Sequence, residues 1–326
     1  MSPEGLLSIG ELALRAGVTV KTVRFYSDRG LLPAASRSSG GHRRYGPEAL
    51  DRLRLIRSLR GLDLPVPEVD RVLGRGDDLT EALEEAVDGR LRELGSQLTA
   101  LRWREAALRL VRDCPAGERA DRLRLVGAVA TPPSTAAMAR FWRGALPVRL
   151  APRLVSSILE YAVPQPPEDP TPAQVLTFAR LHAIVTAPCP AVDPRRPAGN
   201  RTDTDCHPDV LYDGLFDAYG LAAGHLKADR APDRGQALDR FVAAHAEARG
   251  LPDSPGFRRT LSGLLARAAD PLVDRYWELT GELTRSPEPT IGAVHAWLRS
   301  ALHTDVTAAA GRPPSGGPPH PAPTAP

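Results

Sequence analysis

The chain of 326 residues is long enough for two or three domains, and its hydrophobic fraction of 42% is enough to build a core. The net charge of +3 says little about partners, but residues 15 to 60 carry eleven Lys or Arg against three acids. This compact basic block favours a polyanionic partner, although a solvated basic surface would give the same pattern.

Several classes of protein are disfavoured by what the sequence lacks. Three cysteines without a CxxC pair argue against a disulfide framework or a structural zinc site. No stretch reaches the ~18 consecutive apolar residues of a membrane span, and no signal-peptide pattern is present. A cytoplasmic, nucleoid-associated protein is expected. Without a Gly-rich phosphate loop, a nucleophile elbow or an HExxH motif, we predict no enzymatic activity and no cofactor.

Two short helices are predicted at the start of the chain. Ser8 and Glu11 form a capping-box pattern for the first helix, and Gly17 ends it. Thr19 caps the second helix, which Gly30 ends. Helix, short turn and helix is the helix-turn-helix pattern, whose second helix enters the major groove of DNA.

A hairpin and two more helices are predicted next. The irregular loop after Pro33 passes through Gly40 and Gly41 and returns to Arg43-Arg44-Tyr45, which indicates a small hairpin, or wing. Pro47 opens a third helix, and a fourth spans about residues 65 to 73.

Residues 79 to 113 are predicted to form one long helix with an apolar seam. Leucine or valine recurs at a strict seven-residue step with companion positions between, which is typical of a coiled coil. The economical partner is a second copy of the chain; the alternative is packing against the chain's own downstream domain. The predicted seam consists of Val87, Leu91, Leu94, Leu98, Leu101 and Leu108.

The remainder is predicted to be helical, because alternating β-branched residues are scarce. Twelve of the sixteen aromatic residues lie between 141 and 297, which indicates a core and a possible cavity. A long Pro/Asp/Arg loop is expected at 187 to 205. The predicted helical segments centre on residues 119–129, 135–160, 172–186, 208–222, 233–249, 255–269, 271–284 and 290–303.

The N-terminal motifs resemble a known family. IGELALRAGVTVKTVRFYSDRGLL, the GGHRRY wing and the leucine-rich LDRLRLIRSLRGLDLPVPEVDRVL are similar to the winged helix-turn-helix of MerR-type transcription regulators. The long helix fits the antiparallel dimerisation helix of that family. Segments such as FRRTLSGLLARAADPLVDRYWELTGEL resemble the large helical C-terminal domain of actinobacterial members, which adds architecture rather than function.

The predicted fold is therefore all-α with a small β-hairpin wing. Its segments are a winged helix-turn-helix DNA-binding domain, a coiled-coil dimerisation helix, a linker with a short helix, a helical effector-like domain for a ligand or partner, and a disordered Pro-rich tail. In that order they cover residues 1–79, 80–113, 114–133, 134–304 and 305–326.

The resemblance implies a homodimer that binds an inverted repeat in promoter DNA and serves RNA polymerase by distorting an over-long spacer. It also makes a small-molecule effector plausible, since helical effector domains of this family can bind bulky antibiotics. Two alternatives remain open: a ligand-independent repressor or architectural DNA binder, and a protein that sequesters a small molecule.

Side chains suited to DNA lie on the second helix. Lys21 and Arg24 can reach guanine edges or phosphates, and the resemblance places Arg24 at the DNA backbone. Thr22 is expected against a thymine methyl. Thr19 is first a helix cap and secondarily a phosphate donor, and Tyr26 offers its hydroxyl to phosphate.

The wing supplies the other predicted contacts. Arg37 and His42 belong to the wing set, and the resemblance implies phosphate contacts for Arg43 and Tyr45. Arg44 points the other way if the hairpin alternates, and it is expected in solvent.

Four neighbouring side chains are assigned no direct contact with DNA. Phe25 is expected to pack inward. Arg52, Arg54 and Arg57 on the third helix are expected to form a solvated face that attracts DNA only at long range.

The sequence departs from the family pattern at two places. The family usually has Glu after the tyrosine of the recognition helix, where this chain has Ser27 and Asp28. The wing usually contains Gly-Tyr-Arg, and His42 replaces that tyrosine. The arginines are retained, and His42 can keep a phosphate hydrogen bond. The base preference at the wing is what these departures affect.

Candidate ligand and metal positions complete the analysis. A drug-sized apolar pocket is predicted to use aromatic pairs, with core packing as the alternative for each member. A metal site is not expected, because metal-responsive members carry a cysteine pair after the dimerisation helix and only Cys114 lies there. The run from Asp203 to Asp209 (Asp203, Asp205, Cys206, His207) has ligand-like composition. The candidate ligand-binding residues are Phe141, Trp142, Tyr276, Trp277 and Trp297.

Overall fold

The computed structural model describes residues 5–74, 78–130, 132–187, 206–283 and 288–310. It divides into two compact units, Met1–Leu98 and Thr99–Pro326. The division between the two units falls within the predicted long helix of residues 79 to 113.

The first unit begins with the two predicted helices. Ile9–Ala16 forms α1, and the Ser8 capping box precedes it as predicted. Gly17 ends α1 with a φ of 65°, a left-handed conformation that glycine adopts without steric cost. Val20–Asp28 forms α2, whose Thr19 cap accepts a hydrogen bond from the backbone of Thr22.

A three-stranded antiparallel sheet forms the wing. Leu7–Ser8 (β1), Ser36–Arg37 (β2) and Arg43–Tyr45 (β3) pair in the order β1-β3-β2. The predicted hairpin of β2 and β3 is confirmed. Strand β1 was not expected, because two residues are too few to form a recognisable pattern.

Glu48–Gly61 (α3) and Val66–Gly74 (α4) complete the first unit. The prediction of a solvated arginine face on α3 is wrong for Arg52, which is half-buried, whereas Arg57 is exposed as predicted but is also tied to the backbone. The Arg57 guanidinium donates to the carbonyl of Ala16 at 2.5 Å, and Arg52 donates to the carbonyl of Leu31 at 2.7 Å. The Ala16 carbonyl is one of those left open at the end of α1, and the Leu31 carbonyl lies in the loop that follows α2.

Leu79–Asp113 forms α5, which confirms the predicted 35-residue helix. One of its faces is buried in the core of the second unit through Trp103, Ala106, Ala107 and Leu110. The predicted seam lies elsewhere on the helix: Val87 is half-buried, and the leucines are between 39% and 72% exposed. The exposed seam leucines are Leu91, Leu94, Leu98, Leu101 and Leu108.

The second unit is helical, as predicted. A short turn of 3₁₀ helix, Ala116–Glu118, precedes α6, Arg119–Gly127. The single helix predicted for 135–160 is two helices, Ala136–Ala145 (α7) and Pro152–Ala162 (α8), because Pro147 interrupts it. The remaining helices are α9 (Pro172–Thr186), α10 (Pro208–Lys227), α11 (Gln236–Glu247), α12 (Pro255–Ala268), α13 (Pro271–Leu283) and α14 (Ile291–Ala310).

The end of α14 corrects the predicted start of the tail. The helix continues to Ala310, so residues 305 to 310 are helical. Asp305 is buried and forms ion pairs with Arg234 and Arg258, which holds this last part of the helix to the unit. The rest of the predicted tail, and residues 188–205 of the predicted loop, lie outside the described residues. Within the described part of the chain, no helix is long and apolar enough to cross a membrane.

Trp103 is expected to be the main contribution of α5 to the stability of the second unit. Its indole nitrogen donates to the carbonyl of Pro167 at 2.9 Å, and its ring meets Phe178 edge-on at 5.4 Å. Trp103→Ala should lower the free energy of unfolding by about 3–5 kcal/mol in calorimetry of the full chain. The exposed neighbour Arg104, changed to Ala, should cost under ~0.5 kcal/mol. Equal effects of the two changes would contradict this role.

Candidate nucleic-acid interface

Helix α2 has a buried side and an exposed cationic side. Val23 is fully buried and Tyr26 is 9% exposed, which fixes α2 on the core of its unit. Lys21 and Arg24 lie on the exposed side. Among the described residues neither cation forms an ion pair, so both charges are available to a phosphate or a base edge.

The start of α2 is organised by two threonines. Thr19 accepts from the backbone nitrogen of Thr22 at 3.1 Å, and the two hydroxyl groups are 2.9 Å apart. Thr19 is therefore a helix cap, as predicted. The open N-terminus of a helix attracts anions through its unpaired N–H groups, so this end of α2 suits a phosphate.

Of the two aromatic residues of α2, Phe25 lies on the exposed side and Tyr26 on the core side. Phe25, predicted to pack inward, is 41% exposed, and the Arg29 guanidinium lies 4.3 Å from its ring centroid. The prediction of an inward Phe25 is therefore wrong, since the core side at this turn is taken by Tyr26. No hydrogen bond of the Tyr26 hydroxyl is found among the described residues, so a phosphate contact by that hydroxyl stays a prediction.

The tip of the wing is a tight turn with exposed side chains. The backbone nitrogen of Ser38 donates to the carbonyl of His42 at 2.8 Å, and Gly41 has a φ of 76°. Arg37 and His42 are both exposed, and Arg37 donates to the carbonyl of Gly41 at 3.2 Å. The wing therefore presents a cation and an imidazole beside backbone that can approach a duplex closely.

The base of the wing is attached to the end of α2. Tyr45 is fully buried, and its hydroxyl donates to Ser27 Oγ at 3.1 Å. Arg43 forms an ion pair with Asp28, and this carboxylate raises the pKa of Arg43. Tyr45 has no surface to offer a phosphate, so the predicted contact is corrected to a core role. For Arg43, a phosphate would have to replace Asp28.

Comparison with known proteins places these features in a family. The model of the MerR HTH family regulatory protein matches residues 7–75. A ZntR-type transcriptional regulator homolog of Haemophilus influenzae is 34% identical over 98 residues, which are 29% of this chain and 73% of that protein. The chain belongs to the MerR family.

Other relatives are similar over shorter shares of their length. The nodulation protein NolA of a Bradyrhizobium strain is 44% identical over 75 residues, 23% of this chain and 32% of that protein. The transcriptional activator TipA of Streptomyces coelicolor is 48% identical over 66 residues, 20% of this chain and 26% of that protein. This chain thus spans about a third or less of these two relatives. Its N-terminal unit is a MerR-family helix-turn-helix domain, the DNA-binding part of transcription regulators.

The two departures from the MerR pattern on α2 now have a structural role. Ser27 and Asp28, which stand where the family usually has Glu, are the residues that bind Tyr45 and Arg43 of the wing. The sequence contains no local signal for these pairs, because the partners are 15 and 18 residues apart in the chain.

The second unit contains a cavity of about 900 Å³ between its helices. Two of the predicted aromatic residues, Trp142 and Trp277, line it, with ring centroids 5.0 Å apart. A volume of this size is in the range of drug-sized ligand sites.

Three of the predicted ligand-binding aromatics pack in the cores instead. Tyr276 is fully buried, and its hydroxyl donates to the carbonyl of Ala162 at 2.6 Å. Phe141 stacks on Tyr276 with centroids 6.0 Å apart. Trp297 donates to the carbonyl of Arg230 at 2.9 Å. These residues do not line the cavity, so the alternative of core packing holds for them.

Polar residues that the sequence did not indicate also line the cavity. The Tyr219 hydroxyl lies 2.9 Å from His295 Nδ1, and His245 is close to Arg249. Burial lowers the pKa of His245 to about 3 and that of His295 to about 4, so both rings are neutral near pH 7. Burial also raises the pKa of Tyr219. These residues come from three helices, and no sequence spacing connects them.

The candidate metal ligands are only partly described. Cys114 is buried and its thiol donates to the carbonyl of Val111 at 3.2 Å. Asp203 and Asp205 lie outside the described residues. Within the described residues, no group of three or more His, Cys, Asp or Glu side chains is arranged to hold a metal ion.

The buried role of Tyr45 leads to a test. Tyr45→Phe removes the hydrogen bond to Ser27 and should lower the free energy of unfolding by about 1 kcal/mol. Because the hydroxyl does not reach DNA, the slope of log affinity against log salt should stay unchanged. In a double-mutant cycle, Ser27→Ala combined with Tyr45→Phe should lower the free energy of unfolding by little more than either change alone, because both remove the same hydrogen bond. If Tyr45→Phe instead lowered the salt slope by about one unit, the hydroxyl would contact phosphate, as first predicted.

Proposed function

We propose that this chain is a dimeric MerR-type transcription regulator that binds an inverted repeat in promoter DNA and responds to a ligand of its helical domain. The observation that carries the proposal is the exposed cationic side of α2, with Lys21 and Arg24, beside a wing that also presents Arg37. The MerR-family membership supports it. The most direct test is genome-wide footprinting with measurement of the promoter spacer, beginning with the chain's own promoter.

Within one half-site, we assign different tasks to the side chains. Arg24, Arg37 and His42 contact phosphates and fix the orientation of the domain, because arginine donors match phosphate oxygens. Lys21 and Thr22 lie nearest to base edges, where hydrogen bonds and a methyl contact distinguish bases. The Thr19 and Tyr26 hydroxyls donate to phosphate. Arg43 joins them after exchanging Asp28 for a phosphate.

The leucine seam of α5 supports a homodimer. From Leu91 to Leu98 every side chain is exposed, although three of the eight are leucine. The face that packs on the second unit, at Trp103 and Leu110, is a different one, so the alternative of intrachain packing leaves the seam uncovered. A second copy presents the same seven-residue repeat and covers it.

The proposed action on DNA follows the family. A dimer holding two half-sites bends and untwists an over-long spacer, bringing both promoter elements into register for RNA polymerase. Such deformation costs ~1–6 kcal/mol, which the contacts of two α2 helices and two wings offset. A ligand in the cavity of the second unit shifts the dimer between two geometries if it binds them unequally.

The seam leads to a prediction about assembly. Leu94→Asp with Leu101→Asp places two carboxylates in the seam, and burying an ionised carboxylate without a partner costs more than the ~2–7 kcal/mol of an unpaired neutral polar group. Sedimentation should show a monomer, and binding to the inverted repeat should lose its cooperativity. Leu123→Asp, a leucine on α6 that is 60% exposed and outside the seam, serves as the matched control and should leave the dimer intact. A dimer that survives the double change would contradict the coiled-coil proposal.

The division between phosphate and base contacts leads to a second prediction. Arg24→Ala should lower the slope of log affinity against log salt by about one unit and weaken all sequences alike. Lys21→Ala should instead cost ~1–3 kcal/mol at one symmetric pair of positions and relax the base preference there.

Binding to a randomised site library at several salt concentrations measures both effects. Arg54→Ala is the control, because Arg54 is paired with Asp51 on the surface of α3 at 3.0 Å. A changed base preference in Arg24→Ala with an unchanged salt slope would reverse the assignment.

A further inference from the structure

The cavity of the second unit has a wall that is mostly apolar and aromatic. Helices α7, α8, α10, α11, α12, α13 and α14 contribute to it, and its volume is about 900 Å³. Phe216, Phe257 and Leu264 join the two tryptophans in the wall. Flat aromatic and aliphatic surfaces of this kind bind apolar or polycyclic molecules, and a few polar groups then fix the orientation.

Three of the polar residues in the wall are Tyr219, His245 and His295. Tyr219 of α10 and His295 of α14 share a hydrogen bond of 2.9 Å. The ring of Phe241 packs edge-on against both histidines, with centroids 4.9 Å from His245 and 5.7 Å from His295. No hydrogen bond to His295 Nε2 is found among the described residues. Tyr219 and His295 are thus joined by a hydrogen bond, and Phe241 packs against both histidines, in a cavity whose wall is mostly apolar.

His245 has a buried nitrogen without a partner. Arg249 Nη1 lies 3.4 Å from His245 Nδ1, and a guanidinium can only donate, so Nδ1 accepts and the ring proton lies on Nε2. His245 is 5% exposed, and its Nε2 finds no partner among the described residues. An unpaired buried donor is unfavourable, and an acceptor brought by a ligand would satisfy it after a small rotation of the ring.

The acidic side chains of the wall are already engaged. Asp270 accepts from the backbone nitrogen of Leu272 at 2.9 Å, and Asp274 pairs with Arg299 at 3.7 Å. These are the two carboxylates among the described residues that line the cavity. Asp270 forms no ion pair among the described residues, and its carboxylate is held at the start of its own helix. Arg249 lies beside His245 and Arg299 beside His295, so a basic amine held at the histidines would meet two positive charges.

We propose that this cavity binds an aromatic, uncharged or anionic molecule whose oxygen acceptor is held by the Tyr219–His245–His295 cluster. This inference rests on the proposed function as a ligand-responsive regulator, and it specifies the chemical class of that regulator's ligand. It excludes cationic aromatic molecules as preferred ligands. The two wall tryptophans make occupancy visible, because a bound aromatic molecule quenches their fluorescence.

The test uses the full chain without DNA and three dyes. Anilinonaphthalene sulfonate has an anionic acceptor, N-phenylnaphthylamine has the same aromatic skeleton without it, and rhodamine 6G is a cationic aromatic molecule. The sulfonate dye should bind at one site per chain, quench the tryptophans and bind about tenfold more tightly than the other two. Equal affinity for the two naphthyl dyes, or tightest binding of rhodamine, would overturn the proposal.

Variants locate the acceptor site. His295→Phe and Tyr219→Phe should each remove most of the preference for the sulfonate dye while leaving N-phenylnaphthylamine binding unchanged. His225→Phe is the control: His225 lies beside Trp297, 5.4 Å between rings, and does not line the cavity. A preference that persists in both cluster variants would overturn the proposal. Dye binding as expected in a chain that binds no promoter DNA would instead sink the proposed function and leave this site standing.

Discussion

The buried ring of Tyr45 is the constraint on which the DNA-facing surface depends. It lies in the core of the first unit, and its hydroxyl bonds Ser27 at the last turn of α2. The neighbouring pair of Arg43 and Asp28 joins the same two elements. The wing and α2 are thereby held in one arrangement before DNA arrives, so less conformational freedom is lost on binding. Arg24 and Arg37 owe their relative placement to this attachment.

Helix α5 is the second organising element, because it contributes residues to the cores of both units and exposes the leucines between them. Ala82 and Ala86 are buried in the core of the first unit, and Trp103 and Leu110 in a core of the second. The residues from 91 to 98 between them, about 12 Å of helix, expose every side chain. Most of the stability of a helix in a protein comes from packing of its apolar face, which agrees with a partner helix along the seam.

Local patterns were sufficient to predict much of the fold. The Ser8 capping box, the Gly17 turn and the long helix α5 each depend on neighbours within one or two helical turns, and all three are confirmed. The errors concern side chains whose partners are distant in the chain. The hydrogen bond of Arg57 to the carbonyl of Ala16 was missed because nothing in its own helix requires that carbonyl.

The same limit applies to the candidate sites. The cationic residues of α2 were predicted from a nine-residue helix, whereas the inward turn of Tyr45 depends on the pairing of β3 with two other strands. Aromatic residues were the visible signal for a cavity, and two of five line it. The Tyr219, His245 and His295 cluster had no signal, because burial from several helices, rather than composition, makes these side chains distinctive.

The exposed position of Lys21 has a chemical consequence. The chain contains two lysines, and the other, Lys227, is paired with Glu288 in the second unit. The proposed recognition helix therefore carries the single side-chain amine of the first unit, among arginines that amine-selective reagents do not modify. Acylation under mild conditions would mark the proposed DNA-facing surface at one atom, Nζ of Lys21, and bound DNA would shield it. The mass of one peptide would then report how much of the protein occupies its sites, with the native sequence left unchanged.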